Sequence, residues 1–224
     1  MINEQERERN ERVILRLLEN TEREGMDKLI SYLKEGGFFT SPASTRFHSA
    51  YPGGLAKHSL RVCELLSGFN DDNNFSGNGP GQITQPITKN NLTIACLLHD
   101  VCKMGAYVMI SPGNPPHYKW DRDYPAGHAV LSISRIQQFI KLELLELLLI
   151  KFHMGVYGLK EFEERSGEYN LRGDDTKSKG EKYGISLANA WYHNPIVKFM
   201  YFCDEIATLE EKSETEAENE DPSS

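Results

Sequence analysis

Apolar residues recur at three- and four-residue spacing along most of this chain, and that period predicts helices. Residues 2–19 read as a helix with Val13, Ile14, Leu17 and Leu18 on one face. Thr21 is placed to cap a second helix carrying Met26, Leu29, Ile30 and Leu33, which Gly36 and Gly37 stop. A third helix starts near Gly54 and ends near Gly68, and a fourth covers about 91–103. Further helices are predicted at 127–141 and at 143–154, the latter closed by Gly155. Asn194-Pro195, a cap followed by proline at the first helical position, opens a last helix to about Lys212, with a short helix at 186–192 before it. In AYVMISPGNPPHYKWDRD, two β-prone runs flank a Pro/Gly turn, which predicts a small hairpin. Three stretches lack a period. Residues 40–53 are turn-rich and mixed polar-aromatic, an ordered loop. Residues 69–90 and 156–185 read as long loops, and long loops in a compact domain are either disordered or functional. The fold class that follows is all-α, about seven helices with one β-hairpin insertion.

A chain of 224 residues suffices for one packed domain and is short for two. Residues 1–212 are therefore read as a single domain, with N-terminal helices in 1–39 and a core in 40–212. The net charge of −8 is unevenly placed. Residues 210–224 hold seven acids and one lysine, so the rest of the chain is close to neutral. Residues 213–224 have nothing larger than Ala217 to bury and are expected to be a disordered acidic tail. No basic stripe marks a nucleic-acid surface. No long uncharged apolar run predicts a membrane span, and the charged N-terminus lacks the apolar stretch of a signal peptide, so a cytoplasmic protein is expected. Cys63, Cys96, Cys102 and Cys203 form no CxxC pair and lie in apolar runs, which reads as reduced core residues.

The chemistry-bearing residues stand out by their surroundings. His58 precedes Val62, Leu65 and Leu66 by four, seven and eight residues, so it points with the core-facing stripe. His99 faces inward with Ala95 and Cys96. Asp100 sits inside the apolar run IACLLHDVC, where a carboxylate is costly to bury without a cation, and Lys103 or a metal ion would supply one. Asp204 repeats the pattern in NPIVKFMYFCDEIATL, on a face with Val197, Tyr201 and Thr208. His128 lies in the first turn of its helix and His153 in the last turn of the next. Imidazoles with carboxylates suit zinc, iron, manganese, nickel or cobalt.

These residues carry a resemblance. LLHDVCK resembles the defining doublet of the HD-domain metal-dependent phosphohydrolase superfamily, and FHSAYPGGLAKHSLRV resembles the stretch carrying that family's first metal-ligand histidine, here His58. YFCDEIAT resembles the segment with its last ligand, here Asp204. GHAVLSISRI and IKFHMG resemble the segments with its second-metal histidines, here His128 and His153. The resemblance covers about residues 40–212. It is nearest to small stand-alone HD hydrolases and to the HD half of a bacterial 3′–5′ exoribonuclease. It implies a helical HD bundle holding two divalent ions. His58, His99, Asp100 and Asp204 would hold one, and Asp100, His128 and His153 the other, with Asp100 bridging. It also implies hydrolysis of a nucleotide or other small phosphate ester. RNA is less favoured, because residues 1–40 read helical where the exoribonuclease has an OB-fold. The HHE and GYP signatures of cyclic-dinucleotide phosphodiesterases are absent.

Around that centre, Lys103 is a candidate for binding phosphate or orienting water. Arg46 and His48 are candidates for contacting phosphate or protonating the leaving oxygen. His117, Trp120 and Tyr124 could pack on a base, and His193 reads as structural. Rival readings are a non-catalytic module binding a nucleotide or protein partner, a di-iron oxygenase, and a one-metal nucleotidase using only His58, His99, Asp100 and Asp204. The residues leave the oligomeric state and the identity of the metal open.

Overall fold

A computed structural model describes residues 2–73, 87–113, 116–121, 127–158 and 179–220. Its helices are α1 (Glu4–Glu19), α2 (Met26–Glu35), α3 (Gly54–Asn73), α4 (Lys89–Leu98), α5 (His128–Ile136), α6 (Leu144–Phe152), α7 (Lys179–His193) and α8 (Pro195–Glu220). A 3₁₀ turn covers Val101–Lys103, and β1 (Tyr107–Ser111) pairs with β2 (His117–Trp120). Among the described residues the fold is all-α with one two-stranded antiparallel hairpin, as the period and the turn residues predict.

The organising helix is the one without a polar face. Every residue from Asn91 to Asp100 is buried, as expected of a helix surrounded by others. α3 packs on one side of α4 and α6 on another, and α8 lies across both α3 and α6. Ile94, Leu97 and Leu98 of α4 meet Leu55, Val62 and Leu66 of α3, Leu149 and Ile150 of α6, and Val197 and Met200 of α8 in one apolar cluster. Thr88 and Asn91 close a reciprocal capping box that starts α4 where the 69–90 segment ends. Cys63, Cys96, Cys102 and Cys203 are free and buried. Among the described residues, no helix is long and apolar enough to cross a membrane.

Several boundaries differ from those the sequence predicts. α1 buries Asn10, Ile14 and Leu18, whereas Val13 is exposed. Thr21 does not cap α2. Its hydroxyl donates to the Leu18 carbonyl and finishes α1, while Gly25 precedes α2. α3 runs on to Asn73, so the loop predicted from residue 69 begins in helix, and residues 74–86 lie outside the described residues. α4 stops at Leu98 rather than near 103, because Asp100 leaves helical geometry with φ −109° and ψ 19°. α7 begins at Lys179, within the segment predicted to be irregular; residues 159–178 of that segment lie outside the described residues. α8 continues past Lys212 to Glu220. The segment expected to be a disordered tail from 213 is therefore helical up to Glu220, and Glu214 forms an ion pair with Lys57 of α3 at 2.7 Å.

Candidate metal centre

Four helices deliver side chains to one buried point. His58 comes from the second turn of α3, and His99 and Asp100 from the end of α4. His153 follows the last residue of α6, and Asp204 lies mid-way along α8. His58, His99, Asp100 and His153 are essentially sealed from solvent, and Asp204 is the most exposed of the five. His58 Nε2 lies 2.9 Å from Asp204 Oδ1, and His99 Nε2 lies 3.7 Å from the same oxygen. Asp100 sits between two imidazoles. Its Oδ2 is 3.3 Å from His99 Nε2, and its Oδ1 is 3.7 Å from His153 Nε2.

Local structure sets which nitrogen each ring presents. His99 and His153 both stand at helix C-caps, where the last backbone carbonyls have no helical partner. Each ring uses one of those carbonyls: His99 Nδ1–H donates to Cys96 O and His153 Nδ1–H to Ile150 O, both at 2.7 Å. A carbonyl only accepts, so in each neutral ring Nε2 carries a lone pair and faces the centre. His99 Nε2, His153 Nε2 and Asp100 Oδ1 are all buried with no hydrogen-bond partner. Each unmet buried acceptor costs about 1–3 kcal/mol. Three converging acceptors in a dry interior are what a cation site presents before the cation arrives.

Electrostatics favour the ligand forms. Burial opposes the charge on Asp100, but Lys103, with Nζ at 2.7 Å, holds its carboxyl well below the usual range. Burial opposes charge on Asp204 too, and His58 hydrogen bonding and charge outweigh it, so Asp204 is ionised. Burial lowers the pKa of His153 and keeps that ring neutral. For His58 burial is outweighed by Glu211 and Asp204, which push its pKa up to about 10. A proton there occupies the place a metal ion would take on Nε2. Lys103 and Asp100 form a buried ion pair, so the lysine that the sequence offers as a phosphate ligand is first the counter-ion of the doublet's carboxylate.

The turn after Asp100 is held by α5. Arg135 Nη1 donates to the carbonyls of Val101, Cys102 and Met104 at 2.9, 3.0 and 3.2 Å, and Ser132 Oγ accepts from Cys102 N–H. On the α3 side, Gly54 approaches the Ser49 carbonyl so closely that a side-chain carbon would collide with it. That contact seats the 41–53 loop against the start of α3 and leaves the His48 ring 5.0 Å from that of His58.

His58, His99, Asp100, His153 and Asp204 thus come together as two overlapping groups, His58–His99–Asp204 and His99–Asp100–His153. His128 joins neither. It is half-buried, its Nδ1 is 3.6 Å from Cys102 Sγ, and its ring stands edge-on to Trp120. Arg46 is exposed, its guanidinium 5.4 Å over the Phe47 ring. Burial, then His58 and Lys103, lowers the pKa of His48 to about 3, so this ring carries no spare proton at neutral pH. His117 is exposed on β2, Trp120 packs on Tyr107, His193 ends α7 against Tyr192, and Tyr124 lies outside the described residues. A surface cleft of about 810 Å³ lined by Arg23, Asp27, Lys28, Gln138, Phe139 and Lys141 shares no residue with the centre. Sequence reasoning missed Glu211, Ser132 and Arg135. Only Glu211 left a signal: it follows Asp204 by seven residues, two helical turns on the same face. The chain matches no protein-family model, no curated protein and no solved structure in the comparisons made.

Proposed function

We propose that this chain is a metal-dependent phosphohydrolase acting on a nucleotide or other small phosphate ester. The observation that carries the metal reading is the convergence of His99 Nε2, His153 Nε2 and Asp100 Oδ1, buried and unpartnered, beside ionised Asp204. Nitrogen and carboxylate donors without thiolate suit a divalent ion that activates water. The HD doublet and the order His58, His99-Asp100, His153, Asp204 supply the phosphoester part of the reading, by resemblance.

When bound, a divalent ion supplies a metal-activated hydroxide near neutral pH and stabilises charge on phosphate oxygens. The protein's own residues do the rest. The Nδ1–H bonds of His99 and His153 lock both rings with Nε2 inward. Asp100 and Asp204 bring the negative charge that a dication needs, and Lys103 keeps Asp100 ionised while offering its ammonium to a phosphate oxygen. In the hydrolysis, a water oxygen bonds to phosphorus, the bond to the leaving oxygen breaks, and the water's proton ends on the leaving group or in solvent. Neutral His48 contributes hydrogen bonding rather than that proton.

The position of His128 favours a second reading, a one-metal nucleotidase. Its contacts with Cys102 and Trp120 leave the second half-site with Asp100, His153 and the shared His99. Metal analysis of the purified protein, coupled to mono- and diester substrates such as p-nitrophenyl phosphate, bis-p-nitrophenyl phosphate and nucleoside monophosphates, decides among these. Chelator should abolish turnover, Mn²⁺ or Co²⁺ should restore it, and His99→Ala should lack it. One or two equivalents of bound ion separates the one-metal reading from the two-ion centre that the family resemblance implies. A protein that takes up no divalent ion at pH 7.5 would overturn both.

A further inference from the structure

The three inward-facing imidazoles do not obtain their orientation in the same way. His99 and His153 sit at helix ends and use free backbone carbonyls. His58 sits inside α3, where the carbonyls one turn back are engaged in the helix's own hydrogen bonds. It needs an acceptor from elsewhere, and the acceptor present is Glu211. Its Oε1 lies 3.2 Å from His58 Nδ1, and the Glu211 side chain is 3% exposed. Asp204 occupies the other ring nitrogen at 2.9 Å. Two carboxylates seven residues apart on one helix therefore grip opposite edges of one imidazole.

We propose that Glu211 is a positioning residue that holds His58 with Nδ1–H turned away and Nε2 turned to the ion. The inference rests on the metal reading above. A carboxylate behind a ligand histidine fixes the tautomer and raises the basicity of the ligating nitrogen, and losing such a partner lowers metal affinity about 10–100-fold. It also assigns a purpose to a segment whose composition alone reads as tail. Beyond Leu209, α8 is docked on α3 by Arg61–Glu210 at 2.7 Å, by His58–Glu211 and by Lys57–Glu214.

The test is titration with Co²⁺ or Mn²⁺ alone, by calorimetry, of the parent, Glu211→Leu, Glu211→Gln and Glu214→Gln. Glu211→Leu should bind about 10–100-fold more weakly. Glu211→Gln, whose amide oxygen still accepts from Nδ1–H, should lie between it and the parent. Glu214→Gln breaks a neighbouring pair on the same two helices and should bind as the parent does. In Zn²⁺-loaded protein, ¹⁵N–¹H spectra should show the His58 Nδ1–H as a hydrogen-bonded, slowly exchanging proton in the parent and as a faster-exchanging one in Glu211→Leu. Equal affinity in the parent and both Glu211 variants, or equally slow exchange of the His58 Nδ1–H in Glu211→Leu, overturns the assignment while leaving the metal centre standing. So does an equal loss in Glu214→Gln, which would mean that helix docking alone matters. A parent that binds no ion overturns the metal centre, and the assignment with it.

Discussion

Asp100→Asn separates the structural task of the Asp100 carboxylate from the metal task proposed for it. In the metal-free protein Asp100 is 2% exposed and its Oδ2 accepts from Lys103 Nζ at 2.7 Å. Removing one member of a buried ion pair strands the other charge, which destabilises by about 3–5 kcal/mol. Asn retains an oxygen that can accept from Lys103, which places the variant at the low end, about 3 kcal/mol. For a domain of this length, each kcal/mol moves the melting temperature by about 2–4 °C, so Tm in chelator should fall by ~6–12 °C. Lys103→Met in the same background removes the stranded cation and should recover more than half of that loss. The metal task appears on adding ion. At about 100 times its Kd, a ligand bound only by the folded state stabilises by about 2.7 kcal/mol, a rise of ~5–11 °C in the parent. Asp100→Asn should show little of that rise, and neither should the double variant. Circular dichroism melts with and without Mn²⁺ give all of these values. The reasoning is refuted if Asp100→Asn melts within about 2 °C of the parent in chelator, or if the double variant is less stable than the single one.

Three further outcomes follow from other parts of the molecule. His128→Ala should keep the ion held by His58, His99 and Asp204 with Kd changed less than about threefold, since His128 stands against Cys102 and Trp120; loss of all metal in a titration would place it in the primary centre. Arg23→Leu should destabilise by about 3–5 kcal/mol in urea without altering metal affinity. Glu146 is fully buried and takes Arg23 at 2.6 Å, with Asn91 Nδ2 and the Glu143 N–H as its other donors; a stability loss under about 1 kcal/mol would contradict that account. Gly155→Ala should weaken metal binding and lower Tm together. Gly155 has φ +48°, a Cβ there would lie 2.5 Å from the Tyr201 ring, and relief of that clash moves the chain two residues beyond His153. Unchanged melting and unchanged calorimetry would show that the turn tolerates a side chain.

The sequence by itself determined the helices and the charges that do not belong in them. Apolar spacing located α1 and α6 to within a few residues, because a helix that buries one face must repeat at 3.6 residues wherever it packs. Asp100 and Asp204 were legible as candidate site residues because a carboxylate inside an apolar run needs a cation, whatever the fold around it. Periodicity says which residues share a face, but it does not say which helix ends meet. The tertiary structure decided that His99 and His153 converge across Asp100 while His128, in the first turn of its own helix, faces Cys102. It placed Arg46 in solvent and made His48 a half-buried neutral ring. The largest revision concerns the acidic C-terminal segment. Composition judges a charged stretch by its average, and that average has nothing to bury. The fold judges each charge by what it meets. α3 offers Lys57, His58 and Arg61 along one side, and opposite them Glu214, Glu211 and Glu210 become partners, so the helix continues where composition predicted that order would end.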